Sequence, residues 1–300
     1  MGTSGQTSLL YDMGNAGDLL KHGVLAEFLR ASLMFRPAQP IRFLDLFGGE
    51  PYCNGVRKEI VERVDGLSGC ALNEAQTDIR DGRYYGSGML AQKLGDRFGG
   101  RLSVVASDRD EGCRERLRES GVKMLEIEFP ALATSDGYDA YTALEVIQHE
   151  TSRNDLILID PYAEFLKPRR NGQNRADSVI PIMEKMAQSS AVLLFALNLD
   201  PFNRVGRRFD ELQQTNLKRA LIMTCPPVHR SQIRGEGKYY ADVVVAVRAA
   251  FKDDSEYRYF RSRLELFTKE LSCVLGLSER GYAIMRPRLV GVERRAFDRG

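Results

Sequence analysis

Leu156-Ile157-Leu158-Ile159 is a run of four apolar residues that opens after Asn154-Asp155 and passes straight into Asp160-Pro161-Tyr162. An apolar run this short, bounded by polar residues, predicts a strand buried on both faces, the habit of parallel sheets covered by helices. Pro161 has no N–H to give to a ladder, so the strand must stop there, with Asp160 at its carboxyl end. In open α/β sheets, ligands sit in the crevice outside those ends. A carboxylate, a proline carbonyl and an aromatic ring can together hold a flat NH2 group. The acid and the carbonyl accept its hydrogens, the ring stacks on its plane, and the nitrogen lone pair stays free to attack. A turn that merely ends a strand carries the same residues, so the rest of the chain has to decide.

On either side of this strand the pattern alternates. Apolar residues at Leu19, Leu20, Val24, Leu25, Phe28, Leu29 and Leu33 recur at helical spacing over 18–35, after the turn Gly14-Asn15-Ala16-Gly17 with Asp18 as a candidate N-cap. Strands are predicted at 41–47, 102–107, 122–127, 191–197 and 217–224, with helices at 110–120, 139–150, 176–188 and 204–214. Too few residues precede 239–247 for a crossover helix, so that strand should pair antiparallel. The expected fold is α/β: a doubly wound, mostly parallel sheet of seven strands. Residues 53–100 read as a helical insertion with helices near 55–64 and 87–97. Residues 1–250 then form one domain, and 251–300 a C-terminal extension with a helix over 251–275 and a basic tail over 280–300.

Composition narrows the chemistry. The 300 residues are 43% hydrophobic and 28% charged, as in an ordinary globular chain with a sizeable core. No stretch approaches a membrane span, and Met1-Gly2-Thr3-Ser4-Gly5 lacks the basic and apolar regions of an export signal, so a cytoplasmic protein is expected. Five scattered cysteines without C-x-x-C spacing and three histidines give no zinc pattern. The net charge of +2 hides an asymmetry: residues 1–160 carry 18 Lys+Arg against 25 Asp+Glu, and residues 161–300 carry 25 against 16. A basic half beginning after Asp-Pro-Tyr suits a polyanionic partner.

The strand at 41–47 runs into Asp45-Leu46-Phe47-Gly48-Gly49-Glu50-Pro51, a glycine turn that lets backbone approach a nucleotide-like ligand. It has neither the G-x-G-x-x-G of dinucleotide folds nor the G-x-x-x-x-G-K of P-loops, which disfavours NAD and ATP. Asp108 closes the next strand, where a ribose could be held, and Glu126 to Phe129 close the one after, where an acid and a ring could hold adenine. Acids at successive strand ends, followed by Asp-Pro-Tyr, suit S-adenosylmethionine with an amine acceptor.

These same stretches resemble a known family. Gly14-Asn15-Ala16-Gly17-Asp18-Leu19-Leu20-Lys21-His22 resembles the A-G-N-x-A-D-x-L-K-H signature of the bacterial large-subunit rRNA adenine-N6 methyltransferases (RlmJ-like), class I S-adenosylmethionine-dependent enzymes with a Rossmann-like sheet. Phe43 to Gly49 is similar to that family's Y-L-D-T-H-A-G, Tyr84-Tyr85-Gly86-Ser87-Gly88 to its Y-Y-P-G-S-P, and Leu156 to Pro161 to its L-I-L-I-D-P-P-Y. The order holds over residues 11–165, and three-Cys-motif partner proteins share some of the same elements. The resemblance implies cofactor contacts from Lys21, His22, Asp45, Phe47, Gly48, Gly49 and Ser87, with Asp108 on the ribose and Glu128 and Phe129 flanking the adenine. Asp160, with Pro161 and Tyr162, would hold the target amine. Phe47 stands where the family has a histidine, Pro51 where it has a second glycine, and Tyr162 lies one position closer to the acid than in D-P-P-Y.

The segment Lys167-Pro168-Arg169-Arg170-Asn171-Gly172-Gln173-Asn174-Arg175 follows the presumed site directly. Its Lys167, Arg169, Arg170 and Arg175 could bind phosphates beside a base drawn out of its stack, RNA ahead of DNA. The departures at Pro51 and Tyr162 keep a rival open, a methyltransferase fold that binds nucleic acid or a partner protein without turnover. Methylation of DNA, of a protein or of a small molecule stands behind it.

Overall fold

The structure, a computed structural model, describes residues 13–36, 39–133, 138–161, 175–198, 220–229, 240–249, 251, 253–275 and 288–290, with side chains left undescribed at 16, 175–177, 196–198, 220–229, 240–249 and 288–290. Eight strands form the main sheet: β1 (Ile41–Asp45), β4 (Leu102–Ala106), β5 (Lys123–Met124), β6 (Asp155–Ile159), β7 (Ala191–Asn198), β8 (Ala220–His229), β9 (Tyr240–Ala249) and β10 (Arg288–Val290). Their order is β10-β8-β9-β7-β6-β1-β4-β5, with β2 (Tyr52–Asn54) and β3 (Arg83–Tyr85) making a separate hairpin. The five strands from β5 to β7 are parallel. The β7–β9, β9–β8 and β8–β10 pairings are antiparallel. The sheet is thus α/β and mixed, with one strand more than the seven expected: β10 comes from the presumed basic tail and pairs onto the edge at β8.

Side chains alternate across the parallel strands with period two. Phe43, Val104, Leu156, Leu158, Leu193 and Phe195 face one core, and Leu44, Val105, Ile157, Ile159, Val192 and Leu194 face the other. Helices α7 (Ala140–Ile147) and α8 (Arg175–Met186) cover the second face through Ala143, Leu144, Ile147, Val179 and Met183. The first face takes α1 (Ala16–Phe35), α2 (Lys58–Gly66), α3 (Ala71–Ala75), α4 (Ser87–Arg97) and α5 (Glu111–Glu119).

α1 is buried along nearly all of its length because α9 (Asp254–Val274) lies over it. Arg36 donates twice to Glu256, Nε and Nη2 each at 3.1 Å, and Arg263 Nε donates to Glu27 at 3.0 Å. Gly23 lies directly under Phe267 of α9, and a Cβ there would overlap its ring. The helix predicted over 251–275 therefore shares the core of the sheet domain.

Two local readings change. The N-cap of α1 is Asn15, whose Oδ1 accepts from the N–H groups of Gly17 and Asp18 at 2.8 and 3.1 Å; Asp18 is already inside the helix. The strand expected over 122–127 ends at Met124, and Leu125–Glu128 form one helical turn, α6. Leu125 and Phe129, four apart, both enter the second core, and the Phe129 N–H donates to the Leu125 carbonyl at 2.8 Å. The helix expected near 204–214 lies outside the described residues.

Gly23→Ala should destabilise the fold. Overpacking against Phe267 costs about 1–3 kcal/mol, more than the roughly 1 kcal/mol that alanine gains over glycine inside a helix. Urea titration should give a lower midpoint for Gly23→Ala, partly recovered when Phe267→Leu is added.

Candidate active site

β1 lies between β4 and β6, with Asp45 paired in register to Ala106 on one side and to Leu158 on the other. Their carboxyl ends therefore open on one crevice. The Ser107 N–H donates to the Asp45 carbonyl at 3.1 Å, and the Gly48 N–H donates to the Ser107 carbonyl at 2.8 Å. A Cβ on Gly48 would sit 3.1 Å from that carbonyl and 3.0 Å from Leu117, so the turn needs glycine to lie this close to β4. Gly49 has φ +59°, also a glycine conformation, and the direction of its missing side chain is open apart from the Phe47 carbonyl.

α1 contributes the charge. Lys21 Nζ donates to Asp160 Oδ2 at 2.6 Å, lies 3.5 Å from Asp18 Oδ1, and sits 5.6 Å from the centre of the Phe195 ring. Burial pushes the Asp160 carboxyl above the usual aspartate range, and the Lys21 ammonium pulls it back. His22 Nδ1 and the Tyr84 hydroxyl share a 2.9 Å hydrogen bond, their rings stacked 5.6 Å apart. Burial, reinforced by the neighbouring Lys21 charge, holds His22 far below its ordinary pKa, so it is neutral.

Asp45 is wholly buried at the centre. Its Oδ2 accepts from Ser87 Oγ, at the first turn of α4, and its Oδ1 accepts from the Phe47 N–H at 3.2 Å. Burial raises its pKa from 3.8 to about 6, against the opposing pull of Ser87, the Phe47 N–H and Lys21. Its ionised form is thus disfavoured by burial.

The structure gathers Lys21, Asp45, Gly48, Gly49, Ser87 and Asp160 at the strand ends, and Pro161 is buried; His22 is turned to Tyr84, both of them buried. Phe47 packs edge-on against Tyr141, 5.6 Å between ring centres. Asp108 lies against the glycine turn, and Glu128 and Phe129 are placed differently from expectation. Asp108 turns both oxygens to backbone, accepting from Gly49 N–H at 3.1 Å and Asp110 N–H at 2.8 Å. Glu128 accepts from Arg42 Nη1 at 2.8 Å and from Lys123, and Arg42 in turn pairs with Asp155 at the amino end of β6, away from the crevice. Phe129 is buried beneath the Arg42 guanidinium. The cause is α6: on a helical turn, residues two apart point roughly 200° apart, so Glu126 and Glu128 cannot face the same ligand. Tyr162, Lys167, Arg169 and Arg170 lie outside the described residues, as does the side chain of Arg175.

Sequence reasoning gave no individual role to Tyr84, Ser107 or Tyr138, and it read Glu126 only as an acid that could hold adenine. The Tyr138 hydroxyl donates to the Leu46 carbonyl at 2.9 Å, under the glycine turn. Among the described residues no group of three or more His, Cys, Asp and Glu is arranged to hold a metal ion, and no helix is long and apolar enough to cross a membrane.

No family model matches the sequence, and no curated protein matches it. Among solved structures, the fold is similar to protein LPL1258 of Legionella pneumophila str. Philadelphia 1, from family DUF519, with a TM-score of 0.55 at 14% identity over 85% of this chain and 93% of that one. At that identity the likeness is one of fold alone. A protein of Pyrococcus horikoshii, PH1948, named as a candidate RNA methyltransferase, overlaps at a TM-score of 0.31 and 13% identity over 75% of this chain and 84% of that one, too loosely to carry an argument.

The buried Asp45 gives a pH prediction. With a folded pKa of about 6 against 3.8 when exposed, its ionisation opposes folding. The cost is absent below about pH 4, grows between pH 4 and 6, and is complete above, reaching roughly 3 kcal/mol. Asp45→Asn should therefore unfold at higher denaturant than the parent at pH 8, with the advantage shrinking towards pH 4. An equal difference at both pH values would mean that no buried charge is being relieved.

Proposed function

We propose that this chain is an S-adenosylmethionine-dependent methyltransferase acting on the exocyclic amine of a nucleic-acid base, with adenine N6 in RNA as the first substrate to test. The carrying observation is the 2.6 Å contact from Lys21 Nζ to Asp160. A nitrogen bearing hydrogens already sits against the carboxylate at the end of the central strand, as the target amine must.

The remaining geometry is consistent with that reading. The backbone at Gly49 meets only the Phe47 carbonyl within 4 Å of where a Cβ would sit, and the buried Asp45 with Ser87 offers an anionic corner for a ligand carrying positive charge. The cofactor would supply a methyl group already activated on a sulfonium centre. What falls to the protein is alignment: Asp160 and the Pro161 carbonyl accept the amine hydrogens and keep its lone pair pointed along the transfer line. The exocyclic nitrogen of adenine is poorly basic because its lone pair is delocalised, and hydrogen bonds from its N–H groups to these acceptors return density to nitrogen as charge develops. Asp160, held above the usual carboxylate range by burial, is also a better proton acceptor than a free aspartate. For the amine to arrive, Lys21 must yield Asp160, and Asp18 is the nearby carboxylate that can keep its ammonium.

That same contact favours a second reading, a fold that binds nucleic acid or a partner protein without turnover, with Lys21 permanently closing the acceptor. Calorimetry with S-adenosylmethionine separates the two: absence of binding heat at millimolar ligand supports the non-catalytic protein. Nucleoside mass spectrometry after incubation with mixed RNA and DNA then identifies the methylated base. Asp160→Ala should lower transfer at least about 100-fold while cofactor affinity changes little; normal turnover by this variant would remove Asp160 from the mechanism.

A further inference from the structure

On the reading just given, the target amine sits against Asp160, and Lys21 Nζ already holds that place at 2.6 Å. Two further groups surround this nitrogen. β6 and β7 pair with Ile159 opposite Leu194, so Asp160 and Phe195 follow on adjacent strands, and the Phe195 ring lies 5.6 Å from Nζ. Asp18, one turn earlier on α1, offers Oδ1 at 3.5 Å and is anchored through Oδ2, which accepts from the Gly14 N–H at 3.0 Å. The contact is not sealed: the Lys21 side chain keeps 10% exposure and that of Asp160 keeps 22%. Asp45, which leads into the glycine turn, is within electrostatic reach of both Lys21 and Asp160.

A lysine that is to be methylated needs an acceptor for one of its protons and surroundings that suit the methylated cation. Asp160 is the acceptor, and its burial makes it a stronger base than a free aspartate. The face of an aromatic ring beside carboxylates is the setting that holds methylated ammonium groups. A singly methylated Nζ also keeps enough N–H groups for Asp160 and Asp18 together. We infer that Lys21 is a self-methylation site: with a sulfonium methyl donor bound at the strand ends, the chain methylates its own Lys21 Nζ. The step rests on the methyltransferase reading and adds to it an aliphatic amine acceptor within the chain. A proton passes from Nζ to Asp160 Oδ2, and the freed lone pair forms the N–C bond to the sulfonium methyl. The C–S bond breaks with its electrons left on sulfur, giving a neutral thioether. The methylated nitrogen ends with the positive charge, and Asp160 passes its proton to water.

The test is peptide mapping by mass spectrometry of the full chain, first as purified and then after incubation with S-adenosylmethionine carrying a trideuterated methyl group. Label should appear at Lys21 in the parent and be lost in Lys21→Arg. Asp160→Asn should take it up at least about 100-fold more slowly, the effect of removing a proton acceptor. Urea-unfolded parent should take up none, which keeps the test decisive if Asp160→Asn does not fold. Methyl already present on purification supports the inference when Asp160→Asn made in the same cells lacks it, and overturns it when that variant carries it too. A parent that binds S-adenosylmethionine by calorimetry yet bears no methyl at Lys21, labelled or unlabelled, overturns the inference and leaves the methyltransferase reading standing. Equal labelling of Lys21 in Asp160→Asn or in the unfolded chain does the same. No binding heat at millimolar S-adenosylmethionine, with no methyl on Lys21, overturns the reading and the inference together.

Discussion

A helix covered on every side must find a partner for each polar group it carries, because stranding one away from water costs more than most contacts return. α1 is such a helix. Its Asn15, Asp18, Lys21, His22, Glu27, Ser32 and Arg36 are all buried. In its first two turns the partners are Asp160, after β6, and Tyr84, on β3. Further along, the partners are the Ala71 N–H, Arg263 and Glu256, and these join α1 to α3 and α9. One constraint, the burial of a polar helix, thus accounts both for the charge at the crevice and for the closure of the fold.

The sheet supplies the other half of the arrangement. Because β1 is flanked by parallel neighbours on both sides, every group that follows its last residue meets groups that follow theirs. Asp45, Ser107 and Asp160 are far apart in the chain and adjacent for that reason alone. Burying Asp45 there leaves an acid that is hard to ionise, a cost in stability of the kind that clusters at functional sites.

Much of this was legible in the sequence where a local pattern coincides with a tertiary role. The apolar run ending in Asp160-Pro161 marks a central strand and its ligand end without any knowledge of neighbours, and the spacing of Leu19 to Leu33 marks α1. The failures are equally local in origin. Val122, Met124 and Ile127 imitate a strand, but Leu125 and Phe129 sit one helical turn apart and the core takes both, which rotates Glu128 out of reach. The hairpin of β2 and β3 went unread because its strands are three residues long and β2 is largely exposed, leaving no periodic signal. That the Ser107 hydroxyl would donate to Glu126 was beyond sequence reasoning, since it depends on which way one turn of helix faces.

The two ion pairs that fasten α9 over α1 join residues 220 and 236 positions apart. Contacts of such separation close only after the loop entropy of nearly the whole chain has been spent, and they slow folding accordingly. During synthesis on the ribosome, α1 emerges before α9 and must wait, with Phe28 and Arg36 lacking their α9 partners, until α9 has been made. The second half of the helix is therefore covered only once α9 exists, so a chain cut short before residue 254 would leave that half a sticky surface.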